Sequence, residues 1–364
     1  MRLALRGIAG TLALLSLATA DATSRRTPGL RADGDPELPA RLSETGLYEP
    51  ERPGVVRAEN RAFSPQYPLW SDGALKRRWI HLPPGTRIDA SRPDDWDFPV
   101  GTRFWKQFSF GGRKVETRML WKVAKARWLA ASYAWNDDQS DAVLAPEAGV
   151  RGVVEVAPGR RHSIPSRADC AACHGTPGRP LGFAALQLSP DRDPNAIHGE
   201  PLSSEMLTLE TLLREGRLEG APPTLLSDPP RIRASSPRTR AALGYLAANC
   251  GGCHNKSGEI SANVPSLAYA DVMAGADAVA ESLVGRATRF QVPGVPEGAS
   301  VVVDPRAPAQ SALLARMRSR RPSSQMPPLG TVLGDPQALE ALAEWIDKDL
   351  AHQATASAAS PPPN

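Results

Sequence analysis

Between residues 100 and 135 apolar and polar positions alternate with period two. Val115, Thr117, Met119, Trp121 and Val123 share one face of an extended segment, while Lys114, Glu116, Arg118, Leu120 and Lys122 share the other. Residues 102–110 form a preceding run, and Phe110-Gly111-Gly112-Arg113 between the two reads as a hairpin turn. Residues 76–82, 126–135 and 151–156 are further strand candidates. Seven of the eight tryptophans lie between Trp70 and Trp135, and the alternation places them in a core. The pattern predicts an antiparallel, sandwich-like β domain over residues 45–164.

After Pro165 the period changes. Leu207, Leu209, Leu212 and Leu213 recur at helical spacing, as do Ala241, Leu243, Tyr245 and Leu246 within a helix expected over 238–248. Helices also fit 309–318 and 338–350, the latter opened by Asp335-Pro336 as cap and first-turn proline. The tail, 353–364, is Ala, Ser and Pro and reads as disordered. The fold class predicted is α+β and multidomain, with the β domain followed by two mainly helical domains over 165–236 and 237–352.

All four cysteines fall in two pentapeptides, Cys170-Ala171-Ala172-Cys173-His174 and Cys250-Gly251-Gly252-Cys253-His254. Two thiols three positions apart reach the two vinyl groups of one porphyrin, and the next histidine ligates the iron from the proximal side. A thioredoxin-like pair has no need of that histidine, and a four-cysteine zinc site leaves both histidines unexplained. A disulfide within a pentapeptide closes too little chain to stabilise much. The reading is therefore two covalently attached c-type haems (heme binding, iron), one in each helical domain. Cys170, Cys173, Cys250 and Cys253 attach them, and His174 and His254 are the proximal ligands.

The N-terminus agrees with the compartment that such attachment needs. Arg2 and Arg6 precede the apolar run 7–18, and Ala18-Thr19-Ala20 is a small-residue cleavage signal. The run is shorter than the roughly 20 residues that span a bilayer. Residues 1–20 thus read as a signal peptide, 21–44 as a linker, and the expected address is the periplasm, with no stable membrane anchor. Without Arg2 and Arg6 the chain carries 41 basic against 39 acidic residues, a balance that speaks against nucleic acid as a partner. Its 36 prolines and 30 glycines suit a loop-rich protein.

Gln325-Met326-Pro327-Pro328 lies between the last two predicted helices, and a methionine before proline on a rigid loop is suited to present its sulfur to a haem. Met317 is a nearby rival on a helix. At the first haem Gly220-Ala221-Pro222-Pro223 resembles the stretch of class I cytochrome c domains in which a methionine-proline loop stands, and in that frame Ala221 takes the methionine's place. Its sixth position stays open among Met206, His198, His162, His81 and Met119. Trp70-Ser71-Asp72-Gly73 reads as a turn, Asp and Gly supplying a local hydrogen bond and positive φ.

The segment from the helix at 238 through Met326 to Trp345 resembles the class I cytochrome c fold. Val303-Asp304-Pro305 through Met326-Pro327-Pro328 is similar to the distal half of cytochrome domains that accompany periplasmic quinoprotein dehydrogenases. The resemblance implies His254 as proximal and Met326 as distal ligand. Leu42-Ser43-Glu44-Thr45-Gly46-Leu47-Tyr48, Tyr67-Pro68-Leu69-Trp70-Ser71-Asp72-Gly73-Ala74, Pro99-Val100-Gly101-Thr102 and Pro165-Ser166-Arg167-Ala168-Asp169-Cys170 resemble a family of exported dihaem cytochromes c with an N-terminal tryptophan-containing domain, over residues 42–350. That family's resemblance carries fold and haem content more than reaction. The function expected is electron transfer between a periplasmic dehydrogenase and an acceptor cytochrome or oxidase. The rivals are a dihaem peroxidase or oxidase with an open first haem, and a docking protein that binds a dehydrogenase or a carbohydrate through exposed tryptophans.

Overall fold

The computed structural model describes residues 36–175, 180–256 and 265–351. The expected signal peptide, most of the expected linker and the expected tail lie outside the described residues. The alternating segments form the strands expected of them, in an antiparallel series. The strands are β1 (Tyr48–Glu49), β2 (Arg52–Val56), β3 (Asn60–Ala62), β4 (Leu75–His81), β5 (Ile88–Asp89), β6 (Arg103–Phe110), β7 (Arg113–Ala124), β8 (Arg127–Trp135), β9 (Ala142–Leu144), β10 (Val150–Ala157), β11 (Arg160–Ile164) and β12 (Leu218–Glu219). Six of them form one antiparallel sheet in the order β3-β4-β6-β7-β8-β9, and β10 pairs with β11 as a separate hairpin. Gly111 and Gly112, at φ 53° and 80°, make the β6–β7 turn anticipated at that dipeptide.

The register sorts the side chains of the sheet onto two faces. Trp79, Trp105, Met119 and Ala131 lie opposite one another across β4, β6, β7 and β8, and pack with Leu38, Leu42, Leu47 and Tyr48. On the other face Ile80 and Phe104 join Phe63, Phe98, Phe183, Leu188, Leu209 and Leu212. Each fully buried side chain of this kind contributes roughly 1.5–3 kcal/mol relative to exposure. Two expectations change here. The sheet's second layer is the stretch 183–225 together with the segment before β1, in place of a second sheet of similar size. Both faces are consequently covered, so Glu116 and Lys122 on the nominally polar face are 0% and 2% exposed, Lys122 pairing with Asp97. All eight tryptophans are buried or half-buried, as a core role requires.

Seven helices follow among the described residues: α1 (Arg167–His174), α2 (Leu209–Arg214), α3 (Pro237–Asn249), α4 (Tyr269–Ala274), α5 (Ala276–Leu283), α6 (Ala312–Arg318) and α7 (Pro336–Trp345). Leu243 and Leu246 of α3 pack with Val272, Leu283, Leu314, Leu342 and Trp345 in a third core. Asp335 caps α7 by accepting from Ala338 N at 3.1 Å, and the Trp345 indole donates to Thr239 Oγ1 at 3.1 Å, tying α7 to α3. The segment 65–72 runs from the sheet into this helical part. Tyr67 lies against Gly244 of α3, whose missing Cβ would sit 2.1 Å from the ring, and Trp70 N donates to Asn249 Oδ1 at 2.8 Å. Among the described residues no helix is long and apolar enough to cross a membrane.

Candidate functional site

The first pentapeptide is helical because Ser166 caps it. Ser166 Oγ accepts from Asp169 N at 3.1 Å while the Asp169 carboxylate accepts from Ser166 N at 2.9 Å. Cys170, Cys173 and His174 then fall at i, i+3 and i+4, one side of α1. The second pentapeptide begins where α3 ends. Cys250 N donates to Leu246 O at 2.8 Å, and His254 N closes the next turn on Cys250 O at 2.8 Å. A Cβ at Gly251 would meet Leu267 O at 2.5 Å and Ala247 O at 2.6 Å, so this turn has room for glycine alone. Burial raises the Cys170 thiol and pushes that of Cys250 up to about 12, and no cysteine is bridged. Burial, then Arg316, holds His254 below the usual imidazole range and hence neutral, the form that ligates metals. Each motif therefore presents the donor set a covalent haem needs: two free thiols and an imidazole beside them.

Eighty positions apart in sequence, the two motifs meet in space. The thiols of Cys173 and Cys253 lie within hydrogen-bonding reach of each other, and Cys253 Sγ is 3.9 Å from Ala172 O.

The Met326 loop is fastened from α6. Met326 N donates to Arg316 O at 3.0 Å, and Arg320 Nη2 donates to Met326 O at 3.3 Å and also to Met317 O. Arg316 is thus shared between the Met326 backbone and the electrostatic surroundings of His254. Met317 is 6% exposed within the helical core, whereas Met326 is half-buried on irregular chain.

Sequence reasoning missed a buried charged network beside these motifs. His162 Nδ1 bonds Asp72 Oδ2 at 3.0 Å and its Nε2 bonds Glu116 Oε1 at 3.1 Å, with the Phe110 ring 4.9 Å away. Burial opposes protonation of His162, yet the bonds to Asp72 and Glu116 and their charges outweigh it and raise its pKa. Arg118 Nε donates to Glu116 Oε2 at 3.0 Å and lies within electrostatic reach of Cys170 and Cys173. Asp72 Oδ1 accepts from Val332 N at 2.8 Å and Leu333 N at 2.9 Å, beyond the Met326 loop. The Trp70-Ser71-Asp72-Gly73 segment is a turn, Asp72 and Gly73 having φ of 53° and 77°, with Ala74 N on Ser71 O. The Asp72 carboxylate, however, serves distant partners in place of the local bond expected.

Of the five candidates for the first motif's sixth position, His162 has both ring nitrogens engaged. His198 is bonded to Asp335 Oδ2 at 2.8 Å and stacked on Trp70 at 5.1 Å. Met119 is 1% exposed on the far face of the sheet, His81 sits opposite Arg103 on β4, and Met206 closes a turn on Ser203 O. Ala221 packs against the core beneath the sheet. Among the described residues no three His, Cys, Asp or Glu side chains converge to hold a metal ion. Comparison with protein-family models, with curated proteins and with solved structures returned no match.

Proposed function

We propose that the chain is a periplasmic dihaem c-type cytochrome carrying electrons between a periplasmic dehydrogenase and a downstream acceptor. The observation that carries this reading is the closeness of the two pentapeptides: Cys253 Sγ lies 3.9 Å from Ala172 O, and a Cβ at Gly252 would lie 3.6 Å from Cys173 O. Two groups attached through adjacent sulfurs start side by side, which is what a relay within one molecule requires. A haem, when bound, supplies one-electron chemistry whose potential follows its axial ligands, burial and hydrogen bonding. Cys170 and Cys173 would hold one group and Cys250 and Cys253 the other. His174 and His254 would each ligate one iron, and Met326 would supply a sulfur ligand to the second, a soft donor that favours reduced iron. Arg316 and Arg320 keep the Met326 backbone in place, and Asp72 ties the chain just beyond it to His162. Residues 1–20 supply the export signal in this reading.

A second reading, a dihaem peroxidase, is favoured by one finding. His162 and His198 are bonded to other partners and Met119 is buried on the far face of the sheet, which narrows the candidates for the first haem's sixth position to Met206 and His81. Stopped-flow mixing of reduced holoprotein with peroxide separates the two. The relay predicts negligible turnover; rapid reoxidation with repeated turnover, with His162 and Glu116 as the acid-base groups nearest the first motif, would replace it with the peroxidase.

A further inference from the structure

The face of the sheet that turns toward the first motif changes character along its strands. At one end it is apolar, with Ile80 and Phe104 in a core. Two residues further along, Arg78, Lys106 and Arg118 stand directly opposite one another across β4, β6 and β7. Lys76 is on the same face, two positions from Arg78.

The acids within reach do not balance these cations. Glu200 is taken by Arg78 at 2.7 Å, and Glu116 by Arg118 and His162. Asp335 feels Lys76 electrostatically, but its carboxylate is bonded to His198, Tyr245 and the α7 cap. Among the described residues Lys76 and Lys106 form no ion pair; Lys106 Nζ rests over the Phe108 ring at 5.0 Å. Burial, then Arg78, Lys76 and Arg118, hold Lys106 well below the usual lysine range, and burial and Arg78 set Lys76 at about 8. An anion with more than one charge laid across such a face would relieve the mutual repulsion and keep the lysines protonated. Arg118 also lies within electrostatic reach of Cys170 and Cys173.

We propose that Lys76, Arg78, Lys106 and Arg118 form a receptor for a pair of carboxylates, and that its occupants are the propionates of the haem attached at Cys170 and Cys173. This rests on the haem reading of the first motif. No part of the sequence pattern marks the site, because its cations lie on three strands and become neighbours only through the register.

The test compares wild-type holoprotein with K106Q and K106R by optical spectroelectrochemistry, after each is shown to carry two haems. Removing a cation beside propionates favours ferric iron. K106Q should therefore lower one haem's potential enough to raise the ferric-to-ferrous ratio at fixed potential about tenfold, about 59 mV for a one-electron couple. K106R should keep the wild-type value, and the other haem should not respond. If K106Q does not accumulate, K76Q serves in the same comparison. Calorimetric titration of wild-type holoprotein with succinate is expected to be silent, since the receptor is filled. Fully loaded variants with unchanged potentials would overturn the proposal alone, as would succinate binding that K106Q abolishes. A chain that carries no haem at Cys170 and Cys173 would overturn the parent reading and this one with it.

Discussion

His162 holds a buried imidazole between two carboxylates, and its pKa is raised because those bonds outweigh burial. A raised folded-state value means that the imidazolium's contribution is complete below the unfolded pKa of about 6.5 and is lost as pH rises through the folded one. H162Q should cost about 3–5 kcal/mol below that pH, because Asp72 stays buried without a cation and Glu116 keeps Arg118 alone. Denaturant midpoints measured against pH should show the wild-type advantage shrinking as pH rises; an advantage independent of pH would contradict the assignment. The network was illegible in sequence because its members lie 90 and 46 positions from His162. Read alone, His162 stood only as a possible ligand. Met326 and Met317, by contrast, were distinguishable from the start, one before proline on a loop and one at helical spacing. M326A should abolish a near-infrared methionine–iron band and lower that haem's potential. M317A should keep the band and cost about 2–5 kcal/mol from the cavity it leaves in the core; the reverse pattern would sink the ligand assignment.

At the scale of elements, α3 shows how a helix can be plain in the sequence while its neighbour is not. Ser236, Pro237 and the apolar spacing announce it, and the same holds for α7 after Asp335-Pro336. Nothing announces that Tyr67 will lie on Gly244, since that contact joins segments of different period across 177 positions. Alanine is the better helix former by about 1 kcal/mol, yet its Cβ would fall inside the Tyr67 ring. G244A is therefore expected to destabilise by about 1–3 kcal/mol in chemical denaturation, and Y67L in the same chain to recover part of the loss. A stabilised G244A would mean that 65–72 does not pack on α3 as described. The alternation in β7 located the strand but not the fate of its polar face, because period two records which residues share a side and is silent on what covers it. The short helices α4 and α5, of six and eight residues, and the parallel pairing of β12 with β5 left too little periodic signal to be read.

For the whole molecule, the two pentapeptides were readable because they are local chemistry, five consecutive residues each. Their meeting at Cys173 and Cys253 was not, since it follows from α1 packing beside β8 while the turn after α3 approaches from the helical core. The reading of the molecule as a relay depends first on what those thiols carry. The most direct measurement is haem content per chain in the exported protein, by pyridine haemochrome against protein concentration after acid-acetone extraction. Two haems that resist extraction are expected, falling to one in the C250A/C253A variant; a single haem in the intact protein, none, or zinc in place of iron would contradict the account.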